Sequence, residues 1–150
     1  MNIKILLAAF LLFSITAVAQ SSEINQKDES TIATLDKLEV PPMAPKCKEK
    51  WDLDKKQKCL VEFMQKHVMK KFNTDLANDI GLSGMVRVDI EFVIGKDGVV
   101  KDITATGAPK VLNEHAIQVI QQLPTFRPGL INGKPVEVVY SLPIMFQVVN

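Results

Sequence analysis

The stretch "LPTFRPGLINGKPVEVVYSLPIMFQVV", Leu123 to Val149, decides how this chain folds. From Val136 onward every second residue is apolar: Val136, Val138, Tyr140, Leu142, Ile144, Phe146 and Val148. Glu137, Val139, Ser141, Pro143, Met145 and Gln147 fall between them. A period of two over this length predicts a long strand, from about Pro135 to Val148, with one buried face. Pro143 constrains it further. Proline has no backbone N–H, so its position must face away from the strand's internal partner, as edge prolines do. In an antiparallel ladder, alternate residues point their backbone groups to opposite neighbours. Without a bulge, Glu137, Val139 and Ser141 then share the outward side of Pro143. Val138, Tyr140 and Leu142 pair inward.

A second strand is written in "GMVRVDIEFVI", where Val86, Val88, Ile90, Phe92 and Ile94 alternate with Arg87, Asp89, Glu91 and Val93. The turn signal "GKDG" follows it, with Asp97 before Gly98. In the next strand, "VVKDITATG", Val100 and Ile103 are out of phase. Both reach the core only if the strand carries a bulge. Two helices are expected. One spans about Asp54 to Phe72, with Leu60, Phe63, Met64, Val68 and Phe72 on its buried stripe and Asp52 or Asp54 at its cap. The other spans about Asn113 to Leu123, with Ala116, Val119, Ile120 and Leu123 inward, Asn113 as N-cap and Leu112 as a staple. A short turn of helix lies between, capped by Thr74 and ended by Gly81. This order predicts an α+β fold of two layers, with helices packed on one face of a three-stranded antiparallel sheet.

The N-terminus reads differently. "MNIKILLAAFLLFSITAVAQ" holds one lysine, an apolar run from Ile5 to Val18, and the small-x-small sequence Ala17-Val18-Ala19. That is the pattern of a secretory signal peptide over residues 1–19, and it implies a periplasmic protein. An uncleaved inner-membrane anchor is the competing reading. Residues 20–46 are polar and contain Pro41, Pro42 and Pro45. They are expected to form a flexible leader reaching no further than ~90 Å. The domain is then expected over 47–150. In an exported chain Cys47 and Cys59 are expected to pair as a disulfide, worth about 3 kcal/mol by the chain-entropy argument.

Candidate chemistry is sparse. The 150 residues carry 18 basic and 17 acidic side chains, a balance that does not suggest a nucleic-acid binder. His67 and His115 are single histidines on helices without partners at metal-ligand spacing, so no metal site is expected. There is no P-loop, GxGxxG or GxSxG pattern, so neither a cofactor nor a catalytic residue is assigned. Asp89 and Glu91 read as the wet face of a half-buried strand. Trp51 reads as cover for a small core. The pattern suits a binding module rather than an enzyme.

Two segments taken together carry a family resemblance: "GLSGMVRVDIEFVIGKDGVVKDI" and "LNEHAIQVIQQLPTFRPGLINGKPVEVVYSLPIMF". A Gly-x-Val-x-Val strand leads to an Asp-Gly hairpin and a helix with a buried alanine. An aromatic-x-Pro-Gly turn, a Gly-x-Pro-Val strand start and a closing Pro-x-x-Phe strand follow. The set resembles the TonB C-terminal domain family, and the cysteine-bearing first helix looks like the extension of Bacteroidetes members. The resemblance implies binding of the TonB box of an outer-membrane transporter, or of another envelope protein, by strand addition to Val136–Val148. It also implies a domain that a second copy could meet through the same edge. Glu137, Val139 and Ser141 are the expected contacts. The alternative is a stand-alone envelope adaptor or sensor that keeps the fold without transducing energy.

Overall fold

The computed structural model describes residues 32–33 and 37–149. The signal sequence expected over 1–19 and most of the leader lie outside them. The chain runs β1 (Ile32–Ala33), α1 (Leu53–Lys71), α2 (Asp75–Asp79), β2 (Gly84–Ile94), β3 (Val100–Thr106), α3 (Lys110–Gln121), β4 (Gly129–Ile131) and β5 (Lys134–Val148). The expected antiparallel sheet is present as β5-β2-β3, with β5 and β2 in unbroken register from Gly84–Val148 to Ile94–Val138. The alternation read from the sequence decides which side each residue takes. Val88, Ile90, Phe92, Ile94, Val136, Val138, Tyr140 and Ile144 are buried in one cluster with Leu60, Met64 and Val68 of α1 and Leu112, Ala116, Val119 and Ile120 of α3. Phe92 and Tyr140 stack with ring centroids 5.9 Å apart. Phe72 at the end of α1 meets Phe146 of β5 at 5.6 Å. Apolar burial of this kind stabilises at roughly 25 cal/mol per Å² and holds the helices to the sheet.

The bulge inferred from Val100 and Ile103 is present. Glu91 pairs with Thr104 and Val93 with Lys101, so β3 carries one extra residue there. Asp102 takes a left-handed φ of 51° inside that step. Both Val100 and Ile103 consequently pack against the core. The tight turn before β3 closes through Asp97, whose Oδ1 accepts from the Val99 N–H at 3.0 Å. Gly98 is obligatory there: its φ is 80°, and an added Cβ would lie 1.7 Å from the Phe126 carbonyl oxygen.

Several expectations are corrected. The sheet gains a fourth, parallel strand, because β1 pairs with β5 at Glu137 and Val138. A further antiparallel strand, β4, pairs with the start of β5 through an Asn132-Gly133 turn, with φ of 50° and 70°. Positive φ at both central residues is the geometry of a two-residue hairpin. Val93, expected on the wet face, is buried. Helix α3 begins three residues before Asn113. Asn113 is therefore not the N-cap; from the first turn its side chain reaches back to Ala108, donating to the carbonyl at 2.7 Å and accepting from the N–H at 3.3 Å. Thr74 makes no capping bond, and Asn73 Oδ1 takes the Asp75 N–H instead. Asp52 does cap α1, accepting from the Lys55 N–H at 2.9 Å.

The packed body also extends upstream of residue 47. Pro41 and Pro42 are fully buried, with Leu38, Met43 and Ala44 buried beside them. Backbone bonds fix this segment: Arg127 N–H to Met43 at 2.9 Å and Leu130 N–H to Val40 at 2.8 Å. Two consecutive prolines lack donors, so they fit between two bridges and need none. Cys47 and Cys59 are joined in a disulfide, Cα atoms 6.0 Å apart, tying this segment to α1. The half-buried Trp51 packs against the same core, with Lys48 Nζ 5.9 Å from its ring centroid.

Candidate functional site

Strand β5 has two edges with different fates. One edge pairs with β2 over eleven consecutive residues. The same edge continues into β4 through Lys134 and Val136, because Leu130, opposite Pro135, turns its backbone to Val40 instead. The other edge meets β1 at Glu137 and Val138. Beyond Val138, no described residue pairs with it. Pro143 lies opposite Asp89 of β2. With no N–H to give, Pro143 fits a position whose backbone groups point away from β2. The unbroken register then directs the backbone of Glu137, Val139, Ser141, Met145 and Gln147 outward too.

The three expected contact residues fare differently. Glu137 is covered: parallel pairing of Ala33 opposite Val138 engages the flanking backbone of Glu137 and Val139. The Glu137 carboxylate is itself held by Lys101 of β3, whose ammonium it keeps charged to higher pH than an ordinary lysine. Val139 is left with an outward carbonyl. Ser141 is exposed, on the unpaired run.

Next to that run lies an apolar cleft of about 230 Å³. Its walls are Gln65, Val68 and Met69 of α1 and Leu142, Pro143, Ile144 and Met145 of β5. A chain laid along the edge would send alternate side chains toward this cleft. Sequence reading missed it, because its walls come from a helix and a strand far apart in the chain. Met69 and Met145 are both well exposed, and flexible thioether side chains suit a surface that accepts varied side chains.

The helix-free face of the sheet holds a second, polar depression of about 430 Å³, over Asp89, Glu91, Thr104, Thr106 and Ser141. Arg87 closes on Asp89 with Nε–Oδ1 at 2.8 Å and a second guanidinium nitrogen at 2.7 Å. That hydrogen bond holds the guanidinium more firmly protonated. Asp89 is thus satisfied within its own strand.

Both histidines are structural. His67 Nε2 bonds the Val119 carbonyl of α3 at 2.8 Å. His115 Nε2 accepts from the Asn73 N–H at 2.9 Å, its ring 5.1 Å from Phe72. Burial pushes the Tyr140 phenol well above its usual range, so it stays neutral in the core. No cluster of three or more metal-ligating side chains occurs among the described residues, and none of their helices is long and apolar enough to cross a membrane.

The described residues thus form a two-layer α+β module in which one run of a strand edge is unpaired among them, beside an apolar cleft. Residues 75–148 match the family model described as Gram-negative bacterial TonB protein C-terminal, and the chain belongs to that family. The solution structure of the Helicobacter pylori TonB C-terminal domain (residues 179–285) is similar, at 19% identity and a TM-score of 0.44. The match covers 68% of this chain and 88% of that one. No curated protein matches.

Proposed function

We propose that this chain is a periplasmic TonB-like binding domain of TonB-dependent outer-membrane transport. It contacts a transporter peptide by strand addition to the outer edge of β5. Domains of this family interact with outer-membrane transporters, which supports the kind of partner. The single observation that carries the reading is the edge beyond Val138, unpaired among the described residues and flanked by the apolar cleft.

The peptide's backbone bonds to the Val139 carbonyl and to the N–H and carbonyl of Ser141. Pro143 interrupts the ladder, since it offers a carbonyl and no donor. Side chains of the peptide on the helix side enter the cleft between Met69 and Met145. Glu137 joins the contact only if the peptide takes the place of Ile32–Ala33. The chemistry is noncovalent: main-chain hydrogen bonds supply affinity and the cleft supplies selectivity.

Titration of the labelled protein with TonB-box peptides from the host's own transporters tests this. Saturable shifts centred on Ser141 and Met145 are expected. Absence of binding at high micromolar peptide removes the reading, and co-purification with a different envelope protein then favours the adaptor alternative.

A further inference from the structure

The charge balance of the whole chain hides a strong local asymmetry. Residues 46–71 hold nine lysines against four acids, while the rest of the chain holds nine basic and thirteen acidic residues. The asymmetry falls on α1 and on the segment that the disulfide ties to it. Lys55, Lys66 and Lys70 lie on one flank of α1, with Lys58 beside them. Lys46 joins them from the stapled segment. Two adjoining clefts run along this flank, of about 320 Å³ and 190 Å³, sharing Cys59 and Glu62. Phe63 lies in one and Trp51 in the other.

Little of this charge is neutralised. Lys55 pairs with Asp52 at 2.8 Å and Lys66 reaches Glu62 at 4.0 Å. Lys46, Lys58 and Lys70 have no ion-pair partner among the described residues. Lys66 and Lys70 stand one helical turn apart, where like charges repel and slightly destabilise a helix. Dipole compensation at the helix end accounts for Lys70 and Lys71. It does not account for Lys46 and Lys58.

We infer that this basic flank of α1 docks on an anionic phospholipid surface. Two features favour lipid over an acidic protein. All nine cations are lysines and none is arginine. A site that reads carboxylates favours the arginine fork, whereas lysine acts as a point charge on a flexible stem and meets headgroup phosphates without fixed geometry. The aromatic rings of Trp51 and Phe63 sit among the lysines, as aromatic side chains do at a membrane interface. The lysine stems can lie along the helix while their ammonium groups stay in the headgroup layer. Gln65, Val68 and Met69 border the cleft beside β5, and Gln65 and Met69 adjoin Lys58 on the helix surface. Docking through this flank goes beyond strand addition, and it is tested without any peptide, so its failure is distinguishable from failure of peptide binding.

Vesicle flotation tests it. The protein is taken from Gln20 onward, since every described contact lies between Ile32 and Val149. It is mixed with vesicles of phosphatidylcholine alone or with about one-third phosphatidylglycerol, at low salt. Roughly tenfold or greater enrichment on the anionic vesicles is expected, lost at about 0.5 M salt. The combined variant Lys46→Gln, Lys58→Gln, Lys66→Gln, Lys70→Gln should lose it. The same four positions changed to arginine should retain it, as should Lys110→Gln with Lys134→Gln. Equal flotation with both vesicle types overturns the proposal. So does undiminished binding by the four-glutamine variant, or capture by polyglutamate without vesicle binding.

Discussion

The two edges of β5 share one sequence and differ in almost everything else. The edge facing β2 is paired along its whole contact and carries the core on one face of the ladder. The outer edge is covered at Glu137 and Val138 by two residues of β1, then left unpaired among the described residues. Side-chain alternation does not separate the edges, because it sorts residues between faces of the sheet. Backbone direction separates them, and Pro143 is the residue that reports it. An open edge is an aggregation hazard that proteins blunt with proline, charge or short covering strands. Here Pro143 and β1 do both, leaving a short permissive run around Ser141.

Substitution can break this comparison. Leu142→Pro removes an inward N–H opposite Ile90 and a side chain packed on the core. Thermal or denaturant melts should show a loss of about 4 kcal/mol or more, and the variant should fold poorly. Opening the disulfide by Cys47→Ser with Cys59→Ser should cost about 3 kcal/mol by denaturant melts. It frees the upstream segment from α1 and leaves the β2–β5 ladder intact, so the loss should fall on the packing of residues 38–47.

The neighbour of Leu142 gives the sharpest contrast. Ser141→Pro removes only an outward N–H. Stability should fall by less than about 1 kcal/mol while peptide affinity drops roughly tenfold, read by titration. A collapse as severe as that of Leu142→Pro would show that the backbone directions are reversed.

The smallest effect is at the cap of α1. The hydrogen bond from Lys55 holds the Asp52 carboxyl below its ordinary value. A depressed carboxylate contributes stability above its unfolded pKa and loses it as pH falls through the folded one. Asp52→Ala should therefore lower the melting temperature slightly at neutral pH, and the difference should begin to shrink only as pH falls below about 4, through the lowered folded-state value.

Most of the sheet was legible in the sequence because its residues alternate strictly. Even the bulge at Asp102 followed from the phase of Val100 and Ile103. The misses have physical causes. β1 is two residues long and pairs with a strand more than a hundred residues away, so no local pattern marks it. The segment around Pro41 and Pro42 is buried without regular structure, so it has no period to read. β4 was signalled by Asn132-Gly133, overlooked beside the longer strand. Asn113 misled because an asparagine inside the first turn can bond to Ala108 as a capping residue would. At the candidate site, Ser141 followed from parity and Pro143 alone, whereas the cover over Glu137 required the fold.

Backbone amide exchange along β5, with and without a bound TonB-box peptide, tests the central claim most directly. Slowed exchange at Ser141 and Met145, with Tyr140 and Leu142 unchanged, is the predicted result. New protection at Tyr140 and Leu142, with Ser141 and Met145 unaffected, would contradict it.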